Sequence, residues 1–301
     1  VCNSGIANTC AFDGIEKAEA MCALTAEALG IDAPDVVVAS TGVIGQELNI
    51  AAIRAGMPAA AAALSRDGSD AAANAIMTTD TVKKELAFSL TLGGKEVTLG
   101  AIAKGSGMIH PNMGTMLAFI TTDCAITREM LAEALHEVVP RTFNRVTVDG
   151  DTSTNDMCAV LANGMAGNAE ITAEGEDYAA FCAALNAVTT ALCRMIARDG
   201  EGATKLLECT VTGAPDLATA RAVSKSVIHS TLFKAAMFGA DANWGRVLCA
   251  IGYTPGDFDI SKTSVRLKSK AGEVFVCENA AYHPYSEDEA AKVLKEDEID
   301  I

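Results

Sequence analysis

Lys104-Gly105-Ser106-Gly107-Met108-Ile109-His110-Pro111-Asn112-Met113-Gly114-Thr115-Met116-Leu117 is the stretch on which the reading of this chain turns. A loop punctuated by glycine and proline ends in a small residue followed by threonine. An apolar run, Met116 to Ile120, begins at once after it. That order suits self-cleavage at Gly114-Thr115. The threonine hydroxyl attacks the preceding carbonyl, the amide rearranges to an ester, and water releases a new N-terminal threonine. The freed α-amine has an ordinary pKa near ~7.7–8.0, close to what a general base needs at neutral pH. A threonine activated by its own amine is a known form of nucleophile. Taken alone, Gly-Thr at a loop-to-strand junction reads far more readily as a turn entering a buried strand.

Six further blocks, in order along the chain, remove that ambiguity. They are Asn3–Asn8, Ser40–Gly45, Met77–Thr81, Asn144–Asp156, Arg198–Lys205 and Phe238–Arg246. Together with Lys104–Leu117 they resemble the ornithine acetyltransferase (glutamate N-acetyltransferase) family, and each block alone would be weak. The chain departs from the family at Ile6, where Asn is usual, and at Gly114, where Ala is usual. Glycine leaves a looser backbone there, so slower cutting is expected. His110 lies where the family varies and takes no role.

The resemblance implies an α+β fold with a four-layer αββα core. The division expected is residues 1–202 as the catalytic core, cut between 114 and 115, and residues 203–301 as a smaller α/β domain. It also implies roles. Thr115 is the nucleophile; Thr41, through its hydroxyl, and Gly42, through its N–H, form the oxyanion hole. Lys104, read as a lone cation in a loop, binds a substrate carboxylate. Glu201 binds the ornithine amine and Thr81 hydrogen-bonds substrate. Without the resemblance, Lys104 and Glu201 would be solvated surface charges and Thr81 a helix cap. The reaction implied is ping-pong acetyl transfer from N-acetylornithine to glutamate, in arginine biosynthesis. No bound cofactor is expected. Some relatives also accept acetyl-CoA as a co-substrate, an alternative the residues leave open. The expected assembly is two N-terminal and two C-terminal pieces, in the cytoplasm.

Composition narrows the class. The chain has 301 residues, half of them apolar, and a net charge of −16. That is ample for a core and excludes the basic patch a nucleic-acid binder needs. Ten cysteines are scattered with no Cys-x-x-Cys pair, and the four histidines stand apart from them. Free thiols in a reducing compartment fit better than disulfides or zinc. Asp149, Asp151 and Asp156 are a tempting acidic group for magnesium or calcium, but the block that holds them is not a metal site in the family, so no metal is expected. The most apolar stretch near membrane length, Ala55–Leu64, is too short to span a bilayer. Both ends look cut, since family members carry several dozen residues before the first block and a tail beyond this endpoint.

Patterning predicts helices over Ile15–Leu29, Thr127–Val138, Asp177–Arg198, Asp216–Phe238 (one or two) and Ser286–Lys295, with short pieces over Asn49–Gly56, Ala59–Leu64 and Gly68–Ala75. Strands are predicted over Val36–Ala39, Met116–Thr122, Thr142–Asp149 and Leu206–Thr212. Gly93-Gly94 should join Leu86–Leu92 to Lys95–Ile102 as a hairpin, and Lys270–Gly272 should join another. Arg246–Ile251 reads as helix or strand, and Trp244 as a packing anchor. Two other functions stay open on the same residues: an N-terminal-nucleophile hydrolase, with water as acceptor, and an inactive fragment or ornithine-binding remnant.

Overall fold

The computed structural model describes residues 1–301, which fall into two compact units. The first takes Val1–Asn144 and Asp151–Glu201; the second takes Arg145–Gly150 and Gly202–Ile301. Both mix helices and sheets, so the fold is α+β.

The first unit holds strands β1 (Cys2–Asn3), β2 (Ala39–Ser40), β3 (Lys84–Leu92), β4 (Lys95–Lys104), β5 (Leu117–Thr122) and β6 (Met157–Ala162). Its helices are α1 (Gly14–Leu29), α2 (Ile50–Ala62), α3 (Ser69–Ala75), α4 (Arg128–Val138) and α5 (Glu176–Arg198). The main sheet has the order β3-β4-β5-β6, antiparallel except for the parallel β5–β6 pair. Gly93 and Gly94 take positive φ, 53° and 80°, and make the tight β3–β4 turn that the dipeptide predicts. Helix α5 buries Phe181, Leu185, Val188, Leu192 and Ile196, one stripe at helical spacing. That stripe packs against β3 and β4, with α4 beside it. Short β1 and β2 pair in parallel, and α1 packs on α2.

The second unit holds β7 (Leu206–Glu208), β8 (Val265–Ser269), β9 (Gly272–Glu278), β10 (Ala281–Tyr282) and β11 (Glu298–Asp300). Their order is β10-β9-β8-β11-β7, with only β11–β7 parallel. Helices α6 (Leu217–His229), α7 (Thr231–Phe238), α8 (Trp244–Gly252) and α9 (Glu287–Leu294) complete it. Val227, Phe233, Met237, Leu267, Val276 and Leu294 are among its core. Ser286 caps α9 by accepting from the Glu289 N–H at 3.3 Å.

Several expectations are corrected. Thr142–Asp149 is not a strand. Its apolar alternation belongs to an irregular segment with a 3-10 turn at Phe143–Arg145, where buried Phe143 sits beside an Asn144 committed to another loop. The strand at Val36–Ala39 shrinks to Ala39–Ser40, because only those residues form ladder pairs, with β1; exposed Val37 is held only through its carbonyl, by the Val1 amine at 2.7 Å. The predicted break at Gly56–Pro58 does not occur. One continuous α2 carries Pro58 in its interior, with Met57 buried beside Thr25 of α1. Leu206–Thr212 keeps only three residues of strand. Asp13 precedes α1 without a capping side-chain bond, and the helix ends at Gly30, whose φ is 69°. The helix of membrane-crossing length and apolarity is α5 rather than Ala55–Leu64. Half of its apolar window is buried inside this fold, as suits a core helix.

Candidate active site

All seven residues expected at the site fall in the first unit. The chain runs unbroken through Gly114-Thr115, so the geometry is that of the uncut polypeptide. Thr115 sits half-buried two residues before β5, with Gly114 exposed before it. A Cβ built on Gly114 meets nothing within 4 Å, so the alanine usual in the family would fit as well. The cleavage loop is clamped just upstream. Asn144 accepts from the Met113 N–H and donates to the Met113 carbonyl, both at 2.8 Å, and the Thr152 hydroxyl donates to the His110 carbonyl at 2.7 Å.

The turn after β2 faces this point. Thr41 is buried, and its hydroxyl donates to the Thr115 carbonyl at 3.4 Å. Its own N–H donates to the Asn3 carbonyl at 2.9 Å, and the Val43 N–H donates to the Gly5 carbonyl at 3.2 Å. These bonds press two backbones together at Gly42. Its φ is 119°, and a Cβ there would lie 2.3 Å from the Gly5 carbonyl oxygen. Only glycine fits. Asn155 adds a second tie, donating to the Ser40 carbonyl and to Asn8 Oδ1, each at 2.8 Å. The blocks around Asn3, Ser40 and Asn155 are thus parts of one knot.

Asp156 is the neighbour that the sequence reading missed in this role. Its Oδ1 accepts from the Thr115 N–H and, at 2.9 Å, from the Met116 N–H, while its Oδ2 is buried without a hydrogen-bond partner. Burial pushes the carboxyl up to about 6, against the pull of the Met116 and Ser153 N–H groups and the Lys104 charge. Its acidity read as a metal-ligand signal; its contacts are with the backbone of Thr115 and Met116.

Lys104 is not a loop cation. It is the last residue of β4, paired with Leu117, and is fully buried. Its Nζ donates to Thr78 Oγ1 at 2.8 Å and lies 3.8 Å from Asp80. Burial pushes its pKa below the ordinary value, with the Asp80 charge opposing. Asp80 also accepts from the Gly105 N–H at 2.7 Å and from Lys84 at 2.6 Å, and Lys84 reaches on to Asp199 at 2.6 Å. For both carboxyls burial acts upward, but the N–H, hydroxyl and Lys84 contacts outweigh it and hold them below the usual range. Thr81 donates to Asp199 through its hydroxyl and, at 3.0 Å, through its N–H. No helix follows Thr81, so it caps none; β3 begins three residues later. Asp199 in turn places Glu201. The Ser106 hydroxyl donates to the Asp199 carbonyl at 2.8 Å, and the Glu201 N–H donates to the Ser106 carbonyl at 3.0 Å. The Glu201 carboxylate lies over Gly107, where a Cβ would come within 2.2 Å of Oε2.

Two clusters result. Thr41, Asp156 and Thr115 meet directly. Lys104, Thr81 and Glu201 are linked through Asp80, Lys84, Asp199 and Ser106. Asp80, Asp199, Asn144 and Asn155 all lie inside the blocks singled out from sequence. Lys84 lies outside them, and nothing in the sequence marked it.

A model of the ArgJ family matches residues 1–301. The arginine biosynthesis bifunctional protein ArgJ of Symbiobacterium thermophilum is 53% identical over 304 residues, spanning 99% of this chain and 74% of that protein. The protein of the same name from Caldanaerobacter subterraneus subsp. tengcongensis is 48% identical, spanning 100% of this chain and 75% of that one. A crystal structure of the arginine biosynthesis bifunctional protein ArgJ from Bacillus halodurans is 44% identical, with a TM-score of 0.56 over 60% of this chain and 85% of that one.

Proposed function

Because the chain belongs to the ArgJ family, we propose that Thr115 is its nucleophile, freed by self-cleavage after Gly114. The protein is an N-acetyltransferase of arginine biosynthesis. In the reaction we assign to it, Thr115 Oγ attacks the acetyl carbonyl of N-acetylornithine while its α-amine takes the hydroxyl proton. The Thr41 hydroxyl and the Gly42 N–H receive the developing oxyanion. Ornithine leaves, and the amine of glutamate attacks the acetyl-Thr115 ester to give N-acetylglutamate. Lys104 holds a substrate carboxylate, Glu201 the ornithine cation, and Thr81 a further polar group of substrate.

The observation that carries this reading is the contact of the Thr41 hydroxyl with Thr115, across 74 residues of sequence. An oxyanion donor belongs beside its nucleophile, and losing one costs about 2.7–4 kcal/mol of transition-state stabilisation. We take α1 and α2, the β1–β2 pair, the four-stranded sheet, and α4 and α5 as the four layers of the αββα core. We take residues 1–202 as the catalytic core and 203–301 as the smaller domain, with residues 145–150 grouping with the latter. Acetyl-CoA as a second acetyl donor, an assembly of two cut pairs and a cytoplasmic place complete the proposal.

Intact mass under denaturing conditions tests it. Two fragments, ending at Gly114 and beginning at Thr115, are expected from the unaltered chain, and a single chain from Thr115→Ala. Cutting that persists in Thr115→Ala overturns the assignment. Capture of the acetyl group by water alone, with glutamate present, would favour a hydrolase instead.

A further inference from the structure

We propose that Asp156 is the acid of self-cleavage: its carboxyl gives a proton to the Thr115 nitrogen as the Gly114–Thr115 bond breaks, and its carboxylate then holds the new amino group. The proposal rests on Thr115 as the nucleophile and adds a residue which that reading leaves without a part.

The chemistry requires such a group. Thr115 Oγ adds to the Gly114 carbonyl carbon, a C–O bond forms, and the carbonyl electron pair moves onto oxygen. When the carbonyl reforms, the C–N bond breaks and its electron pair goes to nitrogen. An amide nitrogen leaves at neutral pH only if it gains a proton in that step. The hydroxyl proton passes to solvent at the half-buried threonine, and solvent later restores the proton of Asp156. The balance is one proton moved from oxygen to nitrogen, giving an ester and an amine. Water then splits the ester into the Gly114 carboxylate and the Thr115 hydroxyl.

Three features place Asp156 for this. Its Oδ1 is the hydrogen-bond partner of the Thr115 N–H, so the carboxyl already touches the atom that must be protonated. As that nitrogen loses its planarity in the adduct, its lone pair becomes available to a carboxyl proton. The buried Oδ2 has no partner. A half-charged oxygen in that setting is costly, which favours the neutral acid with its proton on Oδ2, and a half-turn of the carboxyl about Cβ–Cγ brings that O–H to the nitrogen once its lone pair is free. Finally, the position is set by the sheet and not by a loop. Asp156 directly precedes β6, whose Met157 pairs with Leu117, and the Met157 N–H donates to the Met116 carbonyl at 3.0 Å. Lys104 is the charged group that acts on Asp156, and it favours the carboxylate; burial wins, so the acid titrates at about 6, near working pH.

A merely structural Asp156 would tie down two N–H groups, and asparagine does that equally well. Asp156→Asn copies the neutral acid in shape and acceptor but has no proton to give. The test follows cut and uncut chain on denaturing gels after a short cell-free synthesis and dilution into buffers from pH 5.5 to 8.5. Asp156→Asn should slow cutting by about 10²-fold or more, and the inflection near pH 6 expected of the unaltered chain should be absent. Asp156→Glu, which keeps a titrating acid, should recover part of the rate with a displaced inflection. Cutting of Asp156→Asn at the unaltered rate with the same pH profile overturns the proposal and leaves Thr115 untouched. Cutting in the Thr115→Ala control overturns the nucleophile reading instead. If circular dichroism shows Asp156→Asn unfolded, the unaltered chain decides, since a rate independent of pH across that range also overturns the proposal.

Discussion

At the scale of the residue, the site depends on contacts that tolerate no side chain and on charges that tolerate no loss of partner. Gly42 is the clearest case. Two parallel backbones, fixed by the Thr41 and Val43 N–H groups, leave a Cβ 2.3 Å from the Gly5 oxygen. Its φ of 119° adds strain for any other residue. Gly42→Ala should therefore lower stability by at least about 1–3 kcal/mol, read as a drop in Tm, and slow cutting along with it. Gly114, the departure that made slower cutting an expectation, has open space around it, so its role is one of backbone freedom and not of fit. Thr41, Gly42 and Thr115 were legible from sequence because their blocks resemble a family. The contact of Asp156 with the Thr115 N–H was not, since an aspartate 41 residues away says nothing about which backbone it meets.

At the scale of the element, β3, β4 and α5 are positioned by an ion-pair chain as much as by apolar packing. Lys84 opens β3, fully buried, and bridges Asp80 in the preceding turn to Asp199 at the end of α5. Gly105, Thr81 and Ser106 hang on those two aspartates, so the loops carrying Lys104 and Glu201 share one support. Removing one partner of a buried pair strands the others. Lys84→Met should therefore cost about 3–5 kcal/mol, measured as a lower midpoint in urea denaturation. Periodicity found α5 and β4 because each buries a regular stripe, and β5 showed as an unbroken apolar run buried on both faces. It failed at Thr142–Asp149, where apolar alternation had no strand partner, and the apolar run Val36–Ala39 paired only at its end. A strand is made by its neighbour's hydrogen bonds, which a single segment does not display.

At the scale of the whole molecule, the cut we propose falls between two strands of one sheet. Six residue pairs, from Leu99↔Thr122 to Lys104↔Leu117, join β4 on the N-terminal piece to β5 on the C-terminal piece. Leu117, Ala118 and Ile120 are fully buried, so separating the pieces would expose core. The two fragments should stay together under native conditions and part only in denaturant, as native and denaturing mass measurements would show. Separate elution of the pieces in native buffer would contradict that. Seven ordered blocks were enough, from sequence, to identify the family and its reaction, because those properties rest on residue type and spacing. The tertiary structure alone decided that Lys104 is buried beside Asp80 and that Asp156 grips the Thr115 nitrogen. Both depend on parallel and antiparallel pairings that bring distant residues into one desolvated place, and burial and partnership, not residue type, set what a charge there can do.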